Sequence, residues 1–127
     1  MTGSQRGRSA CGIAIATLLL VLVGAASADH HGDPPVEMIS AKIGGKNVFI
    51  PGTVVIKAGK PRTISIVNTT DTPHGFVIRG AGIEEVLQPQ VEQQVEVPAL
   101  EPGLYAIDCH LHPPHRSAQL LVVANPK

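Results

Sequence analysis

The sequence predicts an all-β domain, a sandwich or barrel of about seven to nine short strands. Three observations carry that expectation. Beyond residue 35, Gly, Pro, Asn and Asp recur at short intervals. The segments between them are rich in Val and Ile and alternate with period two, the repeat of a half-buried strand. No segment there has the 3.6-residue periodicity of an amphipathic helix over about ten residues.

In order, the expected strands are these. Glu37–Ile43 alternates up to the Gly44-Gly45 pair, and Asn47–Ile50 runs from there to Pro51-Gly52. Thr53–Lys57 is β-branched and closes before Gly59, while Arg62–Asn68 alternates Ile and Val with polar residues. Phe76–Arg79 ends at Gly80, and Ile83–Leu87 lies between Gly82 and Pro89. Val91–Val97 stops at Pro98, Gly103–Asp108 follows Pro102, and Ala118–Ala124 is bounded by Asn125-Pro126. Proline and glycine end strands because one lacks the ladder donor and the other frees the backbone.

The first 28 residues belong to a different class. Arg6 and Arg8 precede an apolar run from Ile13 to Val23, and Ala26-Ser27-Ala28 supplies the small residues that a signal peptidase accepts. The expectation is therefore a signal peptide over 1–28, a polar leader over 29–35 and one domain over 36–127, placed in the periplasm or secreted. An uncleaved anchor is the alternative, although the apolar run is near the lower limit for a bilayer. Cleavage would leave no membrane span and a domain of about 100 residues, enough for its own core. It also removes two of the ten Lys/Arg and none of the ten Asp/Glu. A weakly acidic domain argues against nucleic acid, which favours a basic footprint.

Cysteine is the sharpest constraint. The chain has two, Cys11 and Cys109, and cleavage would leave Cys109 without an intramolecular partner in an oxidising compartment. It stands in Cys109-His110-Leu111-His112-Pro113-Pro114-His115. A lone cysteine can be a small buried hydrophobe or a nucleophile, but neither accounts for the histidines crowded onto its loop. A metal does. Period two places His74, Phe76 and Ile78 on one face with Arg79 on the other, and Tyr105, Ile107 and Cys109 opposite Ala106 and Asp108. Because Arg and Asp favour water, His74 and Cys109 should both face inward at strand ends. Pro113 and Pro114 stiffen the loop between His112 and His115. One thiolate with two imidazoles and a weak further group is the donor set of blue-copper electron-transfer sites, so His74, Cys109, His112 and His115 are the candidate ligands. His110 falls on the opposite face from Cys109 and is expected toward solvent.

Two stretches carry a family resemblance. Val67–Ile78, VNTTDTPHGFVI, and Pro102–Val123, PGLYAIDCHLHPPHRSAQLLVV, resemble the two ligand-bearing elements of the cupredoxins, in particular the small blue-copper amicyanin and plastocyanin type. The resemblance runs from about Val48 to Val123 and implies a Greek-key β-sandwich binding one copper ion. It implies that His74 is the early ligand, that Cys109 and His112 follow from the C-terminal loop, and that His115 stands where the family usually has methionine. Imidazole binds more strongly than a thioether, which implies a more tetragonal site and a lower reduction potential. The set also resembles that of nitrosocyanin, whose spacing differs and which uses a glutamate. The segment His74–Cys109 is similar to the copper domain of cytochrome oxidase subunit II and nitrous-oxide reductase, but a single cysteine excludes their binuclear centre within one chain. Asn68 sits where cupredoxins often use an asparagine to tie the two ligand loops together. Leu111, Pro113 and Pro114 form the apolar patch around His112 through which a redox partner protein would dock.

A second metal position depends on cleavage. With Asp29 as N-terminus, the amine, two amides and His31, next to His30, would make a square-planar nitrogen set suited to Cu(II) or Ni(II). The leading expectation is an exported mononuclear copper protein for electron transfer. The alternatives are a periplasmic copper carrier, chaperone or resistance protein, and a structural zinc site on a binding module. An electron carrier is favoured over a catalyst: no carboxylate pair, Ser-His arrangement or phosphate loop is evident.

Overall fold

The computed structural model describes residues 32–127, so the expected signal segment, His30 and His31 lie outside the described residues. The described residues form nine strands and no helix: β1 (Val36–Ile43), β2 (Lys46–Ile50), β3 (Thr53–Lys57), β4 (Arg62–Asn68), β5 (His74–Ile78), β6 (Ile83–Leu87), β7 (Glu92–Val97), β8 (Gly103–Asp108) and β9 (Ala118–Val123). The periodicity located four of them to the residue. The largest difference is in β5, expected to begin at Phe76. His74 and Gly75 join the strand because they pair with Leu87 and Val86 of β6, and tertiary pairing overrides the low strand preference of glycine.

The strands pack as a sandwich of two sheets, β2-β1-β4-β7 and β3-β9-β8-β5-β6. The chain crosses between sheets several times, which puts two parallel pairs into an otherwise antiparallel fold. β1 runs parallel to β4, with Val36 opposite Ile64, and β3 runs parallel to β9, with Thr53 opposite Gln119. Many short strands with turn signals between them point to an antiparallel sandwich or barrel, and the two parallel pairs depart from that. Alternation reports which face a residue takes and carries no information on strand direction.

Inward-facing residues of both sheets make the core. Ile64, Ile66 and Val97 of one sheet and Phe76, Ile78, Leu87, Ile107 and Leu120 of the other belong to a single buried cluster. Phe49 and Phe76 contact edge to face, ring centres 5.6 Å apart, the arrangement their quadrupoles favour. Truncating such a ring to alanine costs about 3–5 kcal/mol. This packed layer fixes the strand ends on which the histidines and the cysteine sit. Among the described residues no helix is long and apolar enough to cross a membrane.

Candidate metal centre

β5 and β8 are antiparallel neighbours, with Val77 opposite Asp108 and Ile78 opposite Ile107. Carrying that register two residues further sets Gly75 against His110, so the start of β5 and the end of β8 meet at one end of the sandwich. His74 and Cys109 are both buried there, as the alternation indicated. The thiol Sγ lies 3.9 Å from His74 Nδ1 and 4.0 Å from His112 Nδ1. All three donor atoms lie within 4.8 Å of one another.

Those separations suit an ion. A metal bonded at about 2.3 Å to sulfur and about 2.0 Å to nitrogen holds the two about 3.7 Å apart at a bond angle near 120°. The two sulfur–nitrogen separations exceed that by a few tenths of an ångström, so only small shifts would bring the donors onto one centre. The chemistry of the set also fits, since one soft thiolate and two imidazoles suit copper and are acceptable to zinc.

The loop owes its shape to hydrogen bonds at both ends. The His115 N–H donates to the His112 carbonyl at 2.9 Å, closing a turn with Pro113 and Pro114 at its corners. The Arg116 N–H donates to the Asn47 carbonyl at 2.9 Å, fastening the loop to β2. At its base, Asp108 accepts from Ser117 Oγ and from Arg79. These two partners, the Ser117 hydroxyl first, hold the Asp108 carboxyl below its ordinary range. Asp108 therefore faces the loop base and Arg79, away from the donor cluster.

Burial favours the neutral form of His74 and of His115. His74 is wholly buried and its pKa is lowered first by loss of hydration, then by His115 and His112 nearby. His115 is lowered for the same leading reason, with the Arg116 carbonyl opposing and His112 adding to it. Neutral rings keep lone pairs available to a metal. The Gly75 N–H donates to Cys109 Sγ at 3.1 Å, which ties the sulfur to the start of β5. His74 Nε2 is buried and has no hydrogen-bond partner among the described residues.

The remaining candidates take other positions. His115 is buried beside the cluster, its ring centre 5.1 Å from that of His74 and 4.2 Å from that of Phe49. Its Nδ1 lies 3.0 Å from the Arg116 carbonyl and its Nε2 3.3 Å from Ser40 Oγ. Both nitrogens thus face other partners, and His115 is not one of the three grouped donors. Asn68 is fully buried and makes four hydrogen bonds. Its amide donates to the Thr72 and Leu87 carbonyls and its oxygen accepts from the Thr70 N–H and hydroxyl. Asn68 thereby shapes the turn that leads into His74 and ties it to β6; the C-terminal loop is held instead through Asn47. His110 is exposed, its Nε2 3.9 Å from a Glu84 carboxylate oxygen. Leu111, Pro113 and Pro114 are exposed around the half-buried His112.

Sequence reasoning passed over Gly75, Ser40 and Phe49. A signal existed for two of them. Ser40 shares a strand face with Met38, so alternation puts a lone hydroxyl on the core side. Gly75 directly follows a candidate ligand, where close backbone approach is the usual reason for glycine.

The family model for the Cupredoxin-like domain matches residues 13–122. Among solved structures, the purple cupredoxin from Nitrosopumilus maritimus is 19% identical, with 69% of this chain and 99% of that one covered and a TM-score of 0.54. Auracyanin from Roseiflexus castenholzii is 16% identical over 70% and 96% of the two chains, with a TM-score of 0.58. Amicyanin from Paracoccus versutus is 22% identical over 72% and 84%, with a TM-score of 0.52. At these identities the likeness is one of fold. No curated protein matches the sequence.

Proposed function

This chain belongs to the cupredoxin-like family, and from that premise we propose that it is an exported mononuclear copper protein that carries electrons. The single observation behind the reading is the convergence of Cys109 Sγ, His74 Nδ1 and His112 Nδ1 within 4.8 Å at one end of the sandwich. Copper bound there would supply a one-electron Cu(II)/Cu(I) couple. The chain's own contribution is to hold the donors still. His74 starts a strand paired on both edges, Cys109 leaves one, and His112 sits on a turn closed by two prolines and fastened to β2. The Gly75 N–H offsets charge on the sulfur, and burial excludes water from His74.

His112 is the donor nearest solvent, and Leu111, Pro113 and Pro114 around it are exposed. An apolar rim of this size suits a brief encounter with a redox partner protein. Arg6 and Arg8, the apolar run after them and the small residues at 26–28 support export to the periplasm or outside the cell. The domain proper is 36–127, after a signal segment over 1–28 and a leader over 29–35.

A copper carrier is the second reading. It draws on His115, whose nitrogens face Ser40 and the Arg116 carbonyl and leave a position open for an incoming ligand. One set of measurements separates the two. Cu(II) added to the domain beginning at Asp29 is expected to give an intense thiolate-to-metal band that Cys109→Ser abolishes. Reversible voltammetry with slow loss of copper to a chelator supports electron transfer; rapid loss supports a carrier. Zinc retained with no colour after copper challenge would overturn both.

A further inference from the structure

The contacts of His115 carry an inference about a residue on the opposite sheet. A backbone carbonyl can only accept, so His115 Nδ1, 3.0 Å from the Arg116 oxygen, carries the ring proton. Nε2 is then left with a lone pair, and its neighbour at 3.3 Å is the hydroxyl of Ser40. The serine therefore donates and the imidazole accepts. That lone pair is the one a metal would need from His115.

Ser40 is placed to hold it. It is wholly buried on β1, between Phe49 of β2 and Asn68 of β4 in the sheet register. Its own carbonyl accepts from the Thr69 N–H at 2.9 Å and from the Thr69 hydroxyl at 3.0 Å, which pins the strand at that point. The face of Phe49 lies against the His115 ring, centres 4.2 Å apart. A lone hydroxyl among apolar core positions is costly unless it is bonded, and here its side-chain partner is His115.

We propose that Ser40 sets the coordination number of the Cys109 centre, keeping the Nε2 lone pair of His115 on the serine hydroxyl so that His74, Cys109 and His112 alone bind the ion. The proposal rests on the metal reading above. Ser40 acts here as a positioning residue, and its removal converts His115 into a fourth donor. The His115 ring already lies beside that of His74, centres 5.1 Å apart.

The test uses the domain beginning at Asp29 as wild type, S40A, S40T, H115L, H115Q and the S40A/H115L double variant, each confirmed as folded by its thermal melt. Cu(II) and, separately, Co(II) are the probes. In the wild type, coordinated imidazole nitrogens counted by electron–nuclear double resonance are expected to number two, and H115L or H115Q leaves the visible spectrum unchanged. S40A is expected to add a third nitrogen and move the thiolate band to higher energy. S40A/H115L reverses that shift, and S40T, which keeps the hydroxyl, retains the wild-type spectrum. In the metal-free protein, the His115 nitrogen shifts are expected to report a proton on Nδ1, with Nε2 changed by S40A alone. A wild-type spectrum that H115L alters and S40A leaves alone would overturn the proposal while leaving a metal site in place. No thiolate band in any variant would overturn the metal reading, and the proposal with it.

Discussion

Gly75→Ala tests the geometry of the site most directly. A Cβ built on Gly75 would lie 2.7 Å from the backbone nitrogen of His110 and 2.8 Å from its Cε1. The ring can swing away, but the backbone nitrogen belongs to the segment that also carries Cys109, so β5 and the end of β8 must separate. Forcing a methyl into a packed site costs about 1–3 kcal/mol, and stretching the Gly75 N–H bond to sulfur adds about 1 kcal/mol. The expected loss is about 2–4 kcal/mol, a fall in Tm of at least about 8 °C for a domain of this size. Gly52→Ala is the control. No atom lies within 4 Å of its added Cβ, so its stability should change by under about 1 kcal/mol, and upward if at all. H110A in the G75A background removes the ring contact and leaves the backbone one, so it should restore only part of the loss. The assay is urea unfolding of the metal-free protein, paired with the energy of the thiolate band in the copper form. A G75A protein as stable as G52A, with an unshifted band, would refute the register that places Gly75 against His110.

Asn68→Ala removes the buried amide that holds the Thr72 and Leu87 carbonyls and the Thr70 N–H of a largely exposed turn and should cost about 1–3 kcal/mol; a loss under about 0.5 kcal/mol in urea would mean that the turn forms without its centre. Arg79→Ala removes the partner of Asp108 from a largely exposed position, and denaturation should register a change within about 1 kcal/mol. A bigger effect would identify the pair as the clamp at the loop base. The metal-free protein should also weaken in acid. His74 and His115 have folded pKa values below the ordinary 6.5, so the unfolded chain binds more protons as pH falls below that value. Their contribution is complete above about pH 6.5 and is lost progressively as pH drops toward their folded values. Urea midpoints that stay level from pH 7 to 5 would contradict it, and H115L should flatten part of the slope.

Much of this was legible in the residues themselves. Period two and glycine-proline punctuation located the limits of β3, β4, β6 and β8, because each has a turn residue close to at least one end. The same alternation turned His74 and Cys109 to the interior, since Arg79 and Asp108 had to keep the other face. Strand direction was out of reach: nothing in Val36–Ile43 says whether its neighbour runs with it or against it. The surroundings of His115 were hidden for a related reason. Its spacing from His112 matches a ligand, while the hydroxyl and carbonyl that face its nitrogens come from Ser40, 75 positions away, and from its own neighbour Arg116. Asn68 was marked for attention by its place before His74; three of its four side-chain bonds stay within its own turn, at Thr70 and Thr72, and only the one to Leu87 depends on β6 lying alongside.

The bare far nitrogen of His74 has one more implication. Histidines that bind metals are commonly braced from behind by a carboxylate or carbonyl, and this one has no such acceptor among the described residues. Its heading is kept by what packs around it, with Cys109 Sγ 3.9 Å from its Nδ1 and the rings of His112 and His115 at 4.9 and 5.1 Å. Aim at the ion thus becomes a matter of bulk. A cut in bulk at position 115, as in H115A, is then expected to swivel the imidazole and shift the colour, whereas H115L and H115Q, close to histidine in size, leave both in place.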